Sequence, residues 1–201
     1  MAVDAKTAAD TGHNAHPDLI NGSLVGVLSK LEQDKVFHQL AVGDIEVSDD
    51  VDNSILAGVP EGLRPALAAA IAQGVNGGAG KPVVLVVASG REAEETVGSL
   101  RSWYDGDPND IAQLEAWETL PHERLSPRAD TVASRMAVFR RLKHPSDTDS
   151  MFGPIRILVM PIRSLIQPVV QGLGDVEPLV VTVGEDLPLD ESAKRPIENA
   201  K

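Results

Sequence analysis

Residues 82–92 read PVVLVVASGRE, and this stretch decides the fold class. Five uninterrupted apolar residues, four of them β-branched, are too short for an ordinary helix and carry no 3.6-residue period, so Val83 to Val87 is predicted to be a strand. A continuous run without polar alternation points further to a central parallel strand buried on both faces. Ser89 with Glu92 three residues later is a capping box, which opens a helix through about Trp103. The same signals recur downstream. A short strand is predicted near Ile111 to Leu114. Asp130 is predicted to cap a helix in which Val132, Met136 and Phe139 share one face, running to His144 just before Pro145. Ile155 to Met160 reads as a second buried strand, with Pro161 at the start of a short helix. The order strand, helix, strand, helix, strand is that of a parallel α/β sheet with right-handed crossovers.

Upstream of this unit, residues 1–20 carry small and polar residues without an apolar period and are predicted to be a disordered leader. Leu24, Leu28 and Leu31 fall at helical spacing, and Val36, Phe37 and Leu40 follow, so one or two short amphipathic helices are predicted to end before Gly43. Asp44 to Asn53 is read as an acidic loop and Ile55 to Val59 as a short strand. Pro60 to Gln73 is an alanine-rich helix with Pro65 in its first turn, ended by Gly74. After a loop from Gly172 to Pro178, Leu179 to Val183 looks like the first strand of a new unit.

Composition removes several classes of function. The chain has 201 residues and no cysteine, so disulfides, thiolate zinc sites and cysteine nucleophiles are excluded, and a reducing, cytoplasmic setting is expected. No apolar run reaches bilayer-spanning length. The net charge of −12 disfavours a phosphate backbone, and only the stretch from Arg124 to Lys143 is locally basic. Its six basic residues (Arg124, Arg128, Arg135, Arg140, Arg141, Lys143) stand against one acid, Asp130; the later ones complement the C-terminal end of a helix.

Motifs that would carry chemistry fail on their own geometry. Gly80-Lys81 is followed by Pro82 where a P-loop needs a hydroxyl for magnesium, has Val75 five residues before Gly80, and precedes a strand instead of following one. Gly172-Leu-Gly174 lacks both the third glycine and a feeding strand of a dinucleotide fingerprint and is read as a loop. Asp105, Asp107 and Asn109 begin like a calcium loop, but Asp110 and Ala116 stand where glycine and a bidentate glutamate belong. His122-Glu123 has Ser126 where a second zinc-binding imidazole is required. Hence no catalytic residue, cofactor ligand or metal ligand is assigned.

What remains unusual is WETLPHERLSP at 117–127, aromatic, rich in charge and twice interrupted by proline. One reading is a rigid crossover loop with Trp117 and Leu120 packed on the sheet. The other is a docking edge that presents Trp117, Glu118, His122, Glu123, Arg124 and Arg128.

At this point the sequence resembles a known family. LEAWETLPHERLSPRADTVASRMAVFRRLKHP, from Leu114 to Pro145, with the flanking VVLVVASGREAEETVGSLR and ILVMPIRSLIQPV, is similar to the N-terminal region of bacterial transcription-repair coupling factors, particularly the actinobacterial form. The similarity runs from about Pro82 to Val183. It implies that residues 21–170 form a degenerate RecA-like domain, related to the first domain of UvrB and without ATPase motifs, and that residues 171–201 are the incomplete start of a second small α/β domain. It also implies roles in recruitment of repair proteins and in autoinhibition of an ATP-dependent DNA translocase. UvrA would be bound through the complete second domain. RNA polymerase, duplex DNA, and ATP with magnesium would be bound by regions of the parent outside this chain. The chain departs from the family at Pro196, where a helix would continue, and lacks the tyrosines of UvrB's DNA-gripping hairpin between Trp103 and Leu125 beyond Tyr104. The alternative is a stand-alone truncated paralogue acting as a regulatory binding module.

Overall fold

The computed structural model describes residues 23–43, 56–74, 80–119 and 126–176. The leader, the acidic loop, the run Leu179 to Val183 and the tail lie outside these residues. The elements are α1 (Val25–Leu31), α2 (Lys35–Val42), α3 (Arg64–Gln73), β1 (Val83–Val87), α4 (Gly90–Trp103), β2 (Ile111–Gln113), α5 (Ala129–Lys143), β3 (Ile157–Pro161) and α6 (Ile162–Ile166). None of the described helices is long and apolar enough to cross a membrane.

The three strands form one parallel sheet in the order β1-β3-β2, with Val83 and Ile111 both level with Ile157. The chain moves outward from β1 to β2 and returns to the slot between them. Crossovers of one hand then put α4 on one face and α5 on the other, because the direction of travel reverses. Ile111, Ile157 and Val159 pack with Val83, Leu85 and Val87 under α3 and α4, while Ala112, Leu114, Leu158 and Met160 pack with Val138 and Phe139 of α5.

This topology corrects the reading of β1. Val83–Val87 is an edge strand among the described residues, and the central, fully covered strand is β3. Val84 and Val86 are 59% and 38% exposed, because α5 covers β2 and β3 and does not reach across to β1. The strand expected from Ile55 to Val59 is also absent among the described residues: 56–60 has no regular structure, since β-propensity is realised only beside a pairing partner.

Local signals account for most helix boundaries. Asp34 caps α2 by accepting the Val36 and Phe37 N–H groups, which separates it from α1. Ser89 accepts the Glu92 N–H at 3.2 Å, and the Glu92 carboxylate accepts the Ala88 N–H at 3.0 Å. In α3, Ala66, Ala68, Ala69, Ala70 and Ala72 are all buried, because methyl side chains let this helix approach α2 and α4 closely.

Two motifs set aside in the sequence have structural work. A Cβ at Gly80 would lie 1.9 Å from the Ala72 carbonyl oxygen, and the Lys81 N–H donates to the Ile71 carbonyl, so Gly80-Lys81 seats the entry to β1 on the end of α3. Gly172 takes φ +86°, the left-handed region that glycine adopts without strain, and leads into a single 3-10 turn, Leu173–Asp175, against α5.

Candidate functional site

The crossover from β2 to α5 holds every candidate interaction residue. Trp117, Glu118 and Arg128 are described; His122, Glu123, Arg124 and Leu120 lie outside the described residues. β2 ends at Gln113, and the Leu114 N–H still donates to the Val159 carbonyl at 2.9 Å. From there several backbone groups are caught by a side chain of α5 or of the chain at and just after α6. The buried Ser164 hydroxyl donates to the Leu114 carbonyl at 2.9 Å. The Arg135 guanidinium donates to the Glu115 carbonyl. Gln167 accepts the Trp117 N–H at 2.8 Å and donates its amide to the Trp117 carbonyl at 3.2 Å, as a neighbouring strand would.

Trp117 is half-buried, and the partner of its ring is an arginine. The Arg135 guanidinium lies 4.4 Å from the Trp117 ring centroid and 5.5 Å from that of Phe139, within cation–π range of both. Arg135 is only 1% exposed, so the contact is a built-in part of the core. Burial lowers its pKa from the ordinary arginine value by disfavouring the charged form, and the nearby Glu115 charge works in the opposite direction.

Glu118 closes the other side. Its carboxylate accepts the Thr131 hydroxyl at 2.7 Å and the Arg128 N–H at 3.2 Å, which places a negative charge at the positive end of α5. The Thr131 hydroxyl first, and the Arg128 N–H second, hold Glu118 below the usual carboxylate range. Asp130, expected as the cap, instead occupies the first turn, where it pairs with the Arg128 side chain at 3.3 Å. The expected apolar face is displaced as well. Thr131, Arg135 and Val138 are the innermost residues of α5, whereas Val132, Met136 and Phe139 are half-buried beside them.

Thr131, Arg135, Ser164 and Gln167 were therefore missed as components of this site. An arginine at helical spacing between Thr131 and Val138 was the available signal for the buried stripe. Nothing in the sequence marks Gln167, which acts across fifty residues of chain.

Described residues of the basic stretch are engaged within the chain in a similar manner. Arg141 donates to the Gly153 carbonyl at 2.9 Å and the Asn109 carbonyl at 2.5 Å, and burial lowers its pKa. His144 and Lys143 both bind the Asp175 carboxylate, at 2.8 and 2.5 Å, and hold it below its ordinary range. Asp107 accepts the Asn109 N–H in a polar turn, and Asp110 accepts the Tyr104 hydroxyl; burial and that hydrogen bond push the phenol's pKa up. Among the described residues no group of three or more histidines or carboxylates is placed to hold a metal ion.

These contacts pair much of the described positive charge of this stretch with carboxylates or carbonyls. Duplex DNA should bind with a Kd weaker than about 100 μM at physiological salt, the weak end of non-specific association. Fluorescence anisotropy over a salt series checks this; micromolar binding weakened by Arg140→Ala would make α5 a DNA-binding face.

Over 119 residues, 59% of its length, the chain is 45% identical to the transcription-repair-coupling factor of Mycobacterium bovis, and the figures are the same for that of Mycobacterium tuberculosis. The matched stretch is 9% of either relative, so the chain spans about a tenth of the length of these curated relatives. No protein-family model matches the chain. Identity at this level and over this length is homology to a segment of those proteins.

Proposed function

We propose that the chain is the N-terminal, non-catalytic module of a transcription-repair coupling factor. It comprises a degenerate RecA-like domain and the start of a second small domain, and acts in the cytoplasm in transcription-coupled nucleotide excision repair. Its work is recruitment of repair proteins and restraint of the ATP-dependent DNA translocase carried by the rest of the polypeptide. The observation that carries this reading is the shared stretch of 119 residues. The described part of the crossover is consistent with a non-catalytic role, because Glu118, Thr131, Arg135, Ser164 and Gln167 are engaged with backbone groups or with one another.

The restraint is testable in trans. Added to a coupling factor that lacks the matching stretch, the isolated chain is expected to lower ATP turnover several-fold toward the full-length rate. Unchanged turnover at saturating chain would exclude autoinhibition by this module.

Recruitment should need more polypeptide than this. A specific interface takes on the order of 800 Å² from each partner, which on this reading the complete second domain supplies. In a pull-down, UvrA is expected to be retained by a chain extended through the complete second domain and not by these 201 residues. Equal capture by both would move the UvrA surface onto the segment from Trp117 to Arg128.

A further inference from the structure

We propose that the turn Leu173–Asp175 is a charge-held clasp on the end of α5 that opens by itself, without unfolding the sheet, and so switches the exit of the chain between two states. Closed, it pins the exit beside Lys143 and His144. Open, it leaves residues 168–176 as a tether of roughly 30 Å. The inference goes beyond the function proposed above and holds whatever follows Val176.

The turn's own backbone bonds do not attach it to the domain. The Leu173 N–H donates to the Val170 carbonyl at 3.3 Å and the Asp175 N–H to the Gly172 carbonyl at 2.9 Å, both within the segment. Attachment comes from α5, the element packed against the turn. Lys143 Nζ lies 2.5 Å from one Asp175 carboxylate oxygen and His144 Nε2 lies 2.8 Å from the other, while the Arg140 guanidinium donates to the Asp175 carbonyl at 3.4 Å. Cations suit the last turn of a helix, where carbonyls are left unpaired, so α5 gathers the positive charge and the turn supplies the counter-ion.

This hold is weak beside that of the sheet. The side chains of Lys143, His144 and Asp175 are each about half exposed, and exposed pairs are screened by salt and worth about fivefold in an equilibrium at most. None of the three turn residues is buried. One packing contact adds to the charge: a Cβ at Gly174 would lie 2.8 Å from the Phe139 carbonyl oxygen, so the backbone of the turn rests directly on the helix. Upstream, residues 168–172 are exposed and, among the described residues, form no hydrogen bond with another element; the preceding anchor is Gln167 on Trp117. β3, by contrast, is buried along its whole length.

A segment with few buried contacts and exposed polar attachments is where a native protein opens locally, ahead of its core. Gly172 stands at the upstream end of the turn at φ +86°, and a Cβ there would meet nothing, so this end of the segment is unobstructed. Whatever draws Lys143 and His144 away from Asp175, whether screening salt or a competing acidic group on a partner, shifts the exit from pinned to tethered by as much as it weakens those pairs.

Amide hydrogen exchange of the intact chain, read by NMR, tests this. The Leu173 N–H reports on the turn and the amides of β3 on the sheet. In Asp175→Asn the Leu173 amide is expected to exchange about tenfold faster, and in the parent chain at about 1 M salt several-fold faster, while the β3 amides keep their rates. Backbone order parameters of residues 168–176 should fall under the same two conditions. Equal acceleration at Leu173 and in β3 would make the turn part of the global fold and overturn the proposal. So would an unchanged Leu173 rate in either condition, which would show that the close approach at Gly174 holds the turn without help from charge.

Discussion

Arg135→Ala is expected to destabilise the fold by about 3 kcal/mol, whereas Arg135→Met should stay within about 1 kcal/mol of the parent chain. Truncation to alanine removes the packing between Trp117 and Phe139 and leaves the Glu115 carbonyl without its donor. Both losses act together, as a cavity and as an unsatisfied acceptor. Methionine fills much of the same space and no longer has to bring a charge out of water, which offsets the lost hydrogen bond. Urea unfolding followed by circular dichroism measures both. If Arg135→Met costs as much as Arg135→Ala, the hydrogen bond to Glu115 outweighs packing, and the crossover is held electrostatically. If neither costs more than about 1 kcal/mol, Trp117 is not anchored by this helix.

Gly80→Ala is expected to cost about 2 to 4 kcal/mol, in the range of severe backbone and overpacking defects, while Lys81→Ala should change stability by less than about 0.5 kcal/mol. The added Cβ would overlap the Ala72 carbonyl, a backbone group of α3 that has no rotamer through which to yield. Relief requires the entry of β1 to move off the helix end, which breaks the Lys81 to Ile71 hydrogen bond. Thermal unfolding with and without ATP and magnesium reads structure and ligand binding together. No nucleotide-dependent shift is expected in the parent chain or in either variant. A shift abolished by Lys81→Ala would restore a phosphate-binding role to the loop, and a neutral Gly80→Ala would show that the close approach is dispensable.

Three features of the chain show where reading residues succeeds and where it stops. The capping box at Ser89 and Glu92 formed where expected, because a cap depends on groups three residues apart. The parallel α/β order followed from alternating periods, and the strands at Ile111–Gln113 and Ile157–Pro161 lie within a residue or two of their predicted ends. Trp117, Glu118 and Arg128 do gather at one crossover, but two of them serve to hold it: Glu118 closes the start of α5 and Trp117 covers Arg135. The partners that make this so come from α5 and from around α6, at sequence separations that no local pattern encodes.

By itself the sequence determined most element types, most helix boundaries and the absence of thiol chemistry, since each depends on composition or on residues within one turn of each other. Only the tertiary structure decided that β3 is central and β1 an edge, because an apolar run looks the same whether its second face meets a helix or water. It alone decided that Arg135 belongs to the core. A buried guanidinium needs partners that offset its desolvation, here two aromatic faces and a carbonyl, and their convergence is a property of the assembled layers.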